Sequence, residues 1–177
     1  MTYVAMLRAI NLKGHNRIGM ADLRALFVDL GCTDVSTYVQ SGNVVFKSPK
    51  TAPQLEGAIE RAISSAFGLD VTVLVRSKQE LGKVVAGNPF TAPAAEPAHL
   101  HVTFLTEKPE TSRVRDVQAR ELAPEKLAVR GREVYLHCPN GYGRTKLNNA
   151  FLEKQLGVAG TTRNWRTVTT LADLAKT

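Results

Sequence analysis

At 177 residues the chain has room for one domain or two small ones, and a core of that size needs no disulfide or metal staple. Its 23 basic and 16 acidic side chains leave a formal charge of +7, which attracts phosphate-bearing or other anionic partners at long range but equally serves solubility. The apolar runs fall far short of the ~20 residues that cross a bilayer, and Arg8 interrupts the first of them, so neither a membrane span nor a signal peptide is expected and the cytoplasm is the default location.

Thr2 to Ile10, with Tyr3, Val4, Met6, Leu7 and Ile10, reads as a well-buried strand. A polar loop from Asn11 to Gly19 follows, and then Leu23, Leu26, Phe27 and Leu30 recur at helical spacing. Gly19 is placed at the cap of that helix and Gly31 at its end. Val35–Val39 and Val44–Phe46 flank the turn-forming Gln40-Ser41-Gly42-Asn43 as an antiparallel hairpin. A second helix is expected from Thr51 to Phe67, with Pro53 in its first turn and Gly68 closing it. Val71, Val73 and Val75 complete a fourth strand.

Strand, helix, strand, strand, helix, strand is the order of a ferredoxin-like α+β sandwich, with antiparallel sheets and helices on one face. A three-layer parallel α/β arrangement is the alternative. The tight turn at residues 40–43 weighs against it, because parallel neighbours need a long crossover.

Lys78 to Ala86 reads as a short helix, and the Pro- and Ala-rich stretch from Gly87 to Pro97 as a boundary or long connection. The same order then recurs in part. His99 to Leu105 is strand-like, with His99 and His101 on one side, and Ser112 to Leu122 carries a modest helical stripe. Leu127–Val129 and Val134–Leu136 flank Arg130-Gly131-Arg132-Glu133 as a hairpin, Thr145 is placed as the cap of a helix through Leu147, Ala150, Phe151 and Leu156, Thr161–Trp165 is a short strand, and Thr167–Lys176 a terminal helix. Two ferredoxin-like halves are therefore expected, residues 1–90 and a diverged repeat at 91–177.

Three polar stretches are candidates for binding. Arg8, Asn11, Lys13, His15, Asn16 and Arg17 lie between a strand and a helix start, where unpaired amides and basic side chains can hold a phosphate or carboxylate; alternatively they form a solvated loop. Gln40, Ser41 and Asn43 present hydrogen-bonding groups around Gly42, although a tight hairpin asks for the same residue types. Gly141 to Asn149 places Arg144 and Lys146 beside amides following Thr145 but lacks the spacing of a phosphate-binding glycine loop. Arg163, Asn164 and Arg166 surround Trp165, which is either a base-stacking platform or a packing anchor.

Catalytic and metal signatures are sparse. His15, His99, His101 and His137 form no metal-ligand motif, and Ser41, Cys32 and Cys138 have no base identifiable at a recognisable spacing. The two cysteines are expected as ordinary reduced thiols. Neither a metal nor a cofactor is expected.

The stretches LRAINLKGHNRIGMADLRALFVDLG at residues 7–31, TYVQSGNVVF at 37–46, NPF at 88–90 and TTRNWRTVTTLADLA at 161–175 together resemble the DUF1697 family of uncharacterised, mostly bacterial proteins. The resemblance covers nearly the whole chain. It implies two ferredoxin-like parts and, as characteristic polar positions, Arg8, Asn11 and Asn16, then Gln40, Ser41, Gly42 and Asn43, and finally Thr162, Arg163, Asn164 and Trp165. The first loop departs from the family pattern at Leu12-Lys13-Gly14-His15. No reaction comes with the resemblance.

The functional expectation is a binding or regulatory module holding an anionic, phosphate-bearing small molecule in a basic groove between the halves. The alternatives are an enzyme acting on a phosphorylated small molecule or nucleotide, a nucleic-acid-binding protein, and a structural or protein-interaction module. No membrane partner is expected, and the sequence does not fix the oligomeric state.

Overall fold

Two near-continuous buried strands, Thr2–Leu7 and Leu100–Leu105, each organise one of two sheets made in the same way. The computed structural model describes residues 1–92 and 95–177. The first half runs β1 (Thr2–Leu7), α1 (Met20–Asp29), β2 (Thr33–Tyr38), β3 (Asn43–Lys47), α2 (Ala52–Phe67), β4 (Val73–Ser77) and α3 (Lys78–Ala86). The second runs β5 (Leu100–Leu105), α4 (Thr111–Gln118), β6 (Lys126–Arg130), β7 (Glu133–His137), α5 (Asn149–Leu156), β8 (Gly160–Asn164) and α6 (Trp165–Leu174). The strand orders are β2-β3-β1-β4 and β6-β7-β5-β8. Neighbouring strands pair antiparallel in both sheets, which makes the chain a duplicated ferredoxin-like α+β arrangement.

By compactness the chain divides into a first unit, Met1–Lys83 with Thr170–Thr177, and a second, Val84–Thr169. In the first, the inward stripe of α1 (Leu23, Leu26, Phe27) and that of α2 (Leu55, Ile59, Ile63) share one core with Tyr3, Ala5, Leu7, Val44, Phe46, Val73 and Val75. Each such apolar side chain contributes about 1.5–3 kcal/mol on full burial. Phe27 meets Phe46 edge-on at 5.0 Å between ring centroids. Thr51 and Gln54 form a capping box at the start of α2, and Gly68 ends it in the left-handed region. The second unit repeats the plan with Val117 of α4 and Leu152 and Leu156 of α5 against Leu105, Val134 and Leu136.

The opposite faces of both sheets are buried as well. Val4, Met6, Leu74 and Arg76 are fully buried in the first, and Val102, Phe104, Tyr135 and Arg163 are buried in the second. Burial on both faces explains why β1 and β5 read as nearly continuous apolar runs rather than alternating ones. In the second unit the Tyr135 hydroxyl donates 2.7 Å to the carbonyl of Val84, near the end of α3.

Several expected boundaries move, each for a local reason. The first strand ends at Leu7 instead of Ile10, because Ala9 and Asn11 take positive φ and leave the sheet. Trp165 opens α6 rather than closing β8, since the Asn164 side chain caps that helix through the Thr167 amide at 2.8 Å. The cap of α5 is Asn148, accepting from the Phe151 amide at 3.0 Å, and not Thr145. His99 sits in a short 3-10 turn at Pro97–His99, so only His101 belongs to the strand. Pro93 and Ala94, within the expected connection from Gly87 to Pro97, lie outside the described residues. Among the described residues no helix is long and apolar enough to cross a membrane.

Candidate functional site

The first loop and the first hairpin turn, read separately in the sequence, are joined in the structure. Asn11 adopts a left-handed backbone, and its side-chain amide donates to the Ile18 carbonyl at 3.1 Å and to the Gln40 carbonyl at 2.8 Å. Its side-chain oxygen accepts from the Ile18 amide at 2.9 Å. Asn16 donates to the Ala9 carbonyl at 3.2 Å. The Leu7 amide donates to the Gly42 carbonyl at 2.9 Å, and Gly42 has φ +83 with no room for a side chain: a Cβ would stand 2.5 Å from Cδ1 of Ile10. Asn43, fully buried, donates to the Tyr38 carbonyl at 3.0 Å and the Ser41 hydroxyl at 2.9 Å.

These amide side chains therefore hold the loop to the turn. A buried backbone group left without a partner costs about 1–3 kcal/mol, so Asn11 has a structural task at Ile18 sufficient to account for its presence. Lys13, Arg17 and Gln40 are exposed beside this clamp, and Arg8 is half-buried with its amide on the Thr72 carbonyl.

In the second unit, the stretch before α5 is occupied by a carboxylate. Glu125 accepts a hydrogen bond from the Thr145 hydroxyl and another from the Lys146 amide at 3.2 Å. The Leu147 amide donates to the Thr145 hydroxyl at 2.9 Å. The amides after Thr145, expected to face an anion, already serve this internal carboxylate and its bonded hydroxyl. Arg144 and Lys146 are exposed around it.

The stretch from Thr161 to Arg166 divides sharply by residue. Arg163 is 7% exposed and donates to the Thr161 hydroxyl at 2.7 Å and the Thr162 carbonyl at 3.2 Å. Burial pushes its pKa down to about 10, which leaves it charged at neutral pH. Trp165 is 8% exposed and acts as a packing group. Asn164 and Arg166 are exposed.

Asn164, Trp165 and Arg166 nevertheless line one cleft, of about 700 Å³, together with Pro97, Ala98, His101 and Thr169. Strand pairing explains the meeting: His101 in β5 is the register partner of Asn164 in β8, immediately before α6 begins. The His101 ring stacks on Tyr142 at 4.6 Å between centroids and 25° between planes. Tyr142 belongs to the 3-10 turn before α5, and the Thr162 hydroxyl of β8 donates 2.6 Å to the Asn149 side chain at the start of that helix.

His101, read from the sequence as a strand histidine in local structural service, is not among the expected binding residues but lines this cleft. It is 8% exposed, and its Nδ1 is buried with no hydrogen-bond partner. Burial lowers its pKa below the ordinary 6.5, the His99 carbonyl partly offsetting this and the His99 ring adding to it, so the imidazole is neutral at neutral pH. A buried polar nitrogen left unsatisfied costs about 1–3 kcal/mol, an expense that structural histidines ordinarily avoid. The only hint in the sequence is a histidine inside an otherwise apolar strand. Its importance depends on a partner strand some sixty residues away, as in the neighbouring 2.7 Å contact between the Thr103 and Thr162 hydroxyls.

The corresponding junction of the first unit has the same frame with different chemistry. Arg76 and Arg163 pair with Val4 and Val102 at matching places in the two sheets, each one residue before the helix cap. After Arg76, however, Ser77 and Glu80 close the start of α3 on itself: the Ser77 amide donates 2.8 Å to Glu80, and the Glu80 amide donates 3.1 Å to the Ser77 hydroxyl. At α6 the residue in Glu80's place is Thr167, so the helix start carries no carboxylate of its own.

Among the described residues no group of three His, Cys, Asp or Glu side chains stands ready to hold a metal. Comparison with known proteins gives a family and a fold. The family described as "Protein of unknown function (DUF1697)" matches residues 1–135. No curated protein matches. The solved structure of the conserved bacterial protein SP0830 from Streptococcus pneumoniae is similar with a TM-score of 0.78 and 23% identity, over 98% of each chain.

Proposed function

The chain belongs to the DUF1697 family of proteins of unknown function, and from that premise we propose that it is a binding or regulatory module for an anionic, phosphate-bearing ligand held in the β5–β8–α6 cleft. The observation that carries the reading is the convergence there of the Arg166 side chain and the amino end of a ten-residue helix, beside His101 of the neighbouring strand. A helix start favours negative charge through its dipole and unpaired amides, and a guanidinium beside it adds a charge-assisted hydrogen bond. The size supports a small molecule, since ligand sites commonly enclose about 300–1,000 Å³. Two free, buried thiols at Cys32 and Cys138 suit the reducing setting of the cytoplasm, where we place the module.

The clamp at Asn11 and the carboxylate at Glu125 turn the other two stretches toward structural work, which leaves the β8–α6 junction as the favoured position. Isothermal titration of the full chain with inorganic phosphate and pyrophosphate tests the reading. Saturable binding that Arg166→Gln weakens about tenfold, or 1.4 kcal/mol, is the expected result. Affinity indifferent to that replacement would remove the cleft from consideration.

A further inference from the structure

We infer that the open edge of β2 is a docking surface for a second copy of this chain, whose own β2 pairs with it antiparallel across a two-fold axis at Ser36. An unpaired sheet edge presents a row of backbone amides and carbonyls that invites another strand. Among the described residues, three of the four sheet edges are closed from within by a side chain of the adjoining helix. At β4 the Val73 amide donates 3.0 Å to Glu60 and the Val75 amide 2.9 Å to Glu56, both of α2. At β8 the Gly160 amide donates 3.1 Å to Glu153 of α5, and at β6 the Val129 amide donates 3.0 Å to Gln118 of α4. Thr37 of β2 stands in the row that Val129 holds in the other sheet: Thr37 pairs with Val44 and Val44 with Ala5, as Val129 pairs with Val134 and Val134 with Thr103. The Thr37 amide therefore points away from its sheet, as the Val129 amide does. Its helix neighbour is Arg24, which donates 2.7 Å to the Thr37 hydroxyl and, having no acceptor, cannot take the amide. Among the described residues nothing else bonds that amide.

A second copy fits this edge better than a lone extended peptide, because the open surface has two layers, strand and helix. Val28 lies one turn beyond Arg24 on the same side of α1 and is 58% exposed, and Val39, directly after β2, is exposed as well. A peptide would pair with the strand and leave the helix layer bare. A second β2 brings its own α1 alongside and draws Val28 of both copies out of water. The register shifts between Thr33 and Ser36, where Asp34 takes positive φ, so the open stretch is residues 35–38. A two-fold at Ser36 sets Thr37 opposite Val35 of the other copy and the two Ser36 residues opposite each other, in the non-hydrogen-bonded position where side chains come closest. None of residues 35–38 is charged, and Asp34 at the end of the stretch is matched by Lys47 at 2.7 Å, so the two strands oppose no like charges.

Sedimentation equilibrium of the full chain over about a hundredfold range of concentration, joined with amide hydrogen exchange, tests the pairing. Reversible dimerisation is expected, with the Thr37 amide gaining protection as the dimer forms and the Val129 amide unchanged. Each copy carries a formal +7, so added salt should favour the dimer. Ser36 is exposed, and Ser36→Lys and Ser36→Glu should each raise the dimer dissociation constant about fivefold, while an equal mixture of the two should restore association. Ser36→Cys, given a disulfide-forming oxidant, should yield a covalent dimer, and the unmodified chain with its two buried thiols should yield none. If a charged variant fails to fold, Ser36→Cys and the exchange of the Thr37 amide in the unmodified chain decide. A monomer at every concentration would overturn the proposal, and protection of the Thr37 amide by an added extended peptide would then assign the edge to another protein's strand. A dimer that ignores both charges, leaves the Thr37 amide unprotected or gives no covalent product at Ser36→Cys would overturn it too, by placing the contact elsewhere.

Discussion

The starts of α3 and α6 occupy the same place in two copies of one architecture and end in different states. Both follow an edge strand whose penultimate residue is a buried arginine, Arg76 or Arg163, and both are capped by a small polar residue, Ser77 or Asn164. At α3 the third helical residue is Glu80, which folds back on the cap and supplies the negative charge that a helix start favours. At α6 that residue is Thr167, and an open cleft with Arg166 and His101 takes the place of the internal carboxylate. A duplicated frame can thus retain its stability device in one copy and give up the equivalent position in the other.

The largest expected effect would confirm that the first unit's polar loop is structural. Asn11→Ala removes three hydrogen bonds and strands both backbone groups of buried Ile18, so chemical denaturation should show a loss of about 2–4 kcal/mol while phosphate affinity stays unchanged. If that variant kept its stability and lost phosphate binding, the contrast between the units would be reversed. The helix caps come next. Ser77→Ala and Asn164→Ala should each cost about 1 kcal/mol, measured by urea midpoints, but only the second should also weaken phosphate binding.

The smallest effect lies in pH. Burial holds the folded-state pKa of His101 below the ordinary 6.5, so between those two values the unfolded chain binds more protons than the folded one. Stability should therefore rise with pH up to about 6.5 and level off above it. His137 is shifted the same way by burial, Lys126 and His99, so His101→Gln should flatten the rise in part, as followed by denaturation midpoints across that range. A rise of unchanged size in that variant would show that the His101 environment is less costly to the cation than the geometry implies.

Much of the fold was legible because its signals are local. The hairpin turns at residues 40–43 and 130–133, the stripes of α1 and α2, and the Thr51, Pro53 and Gly68 punctuation all act within a few residues of themselves. The polar stretches were harder to interpret, because a residue type shows what a side chain can bond and not what it does bond. Asn11 and Asn16 had the composition of a ligand loop and are committed to neighbouring carbonyls. Thr145 had the composition of a cap and is bonded to Glu125, twenty residues earlier. Trp165 and Arg163 had the composition of a stacking platform and are buried, whereas His101 gained its place only through strand pairing with Asn164.

The membership of α6 carries a consequence for how the protein is made. Leu171, Ala172 and Ala175 are buried, Leu174 and Thr177 border a small hollow with Thr2, Ser36, Val45 and Lys47, and all of these residues belong to the unit that begins at Met1. On the ribosome, the first sheet emerges early but remains without these side chains until the last turn of helix is released. The half of the chain synthesised first is consequently the half completed last, and a nascent chain stalled before residue 170 would leave that earlier half exposed to proteases and chaperones.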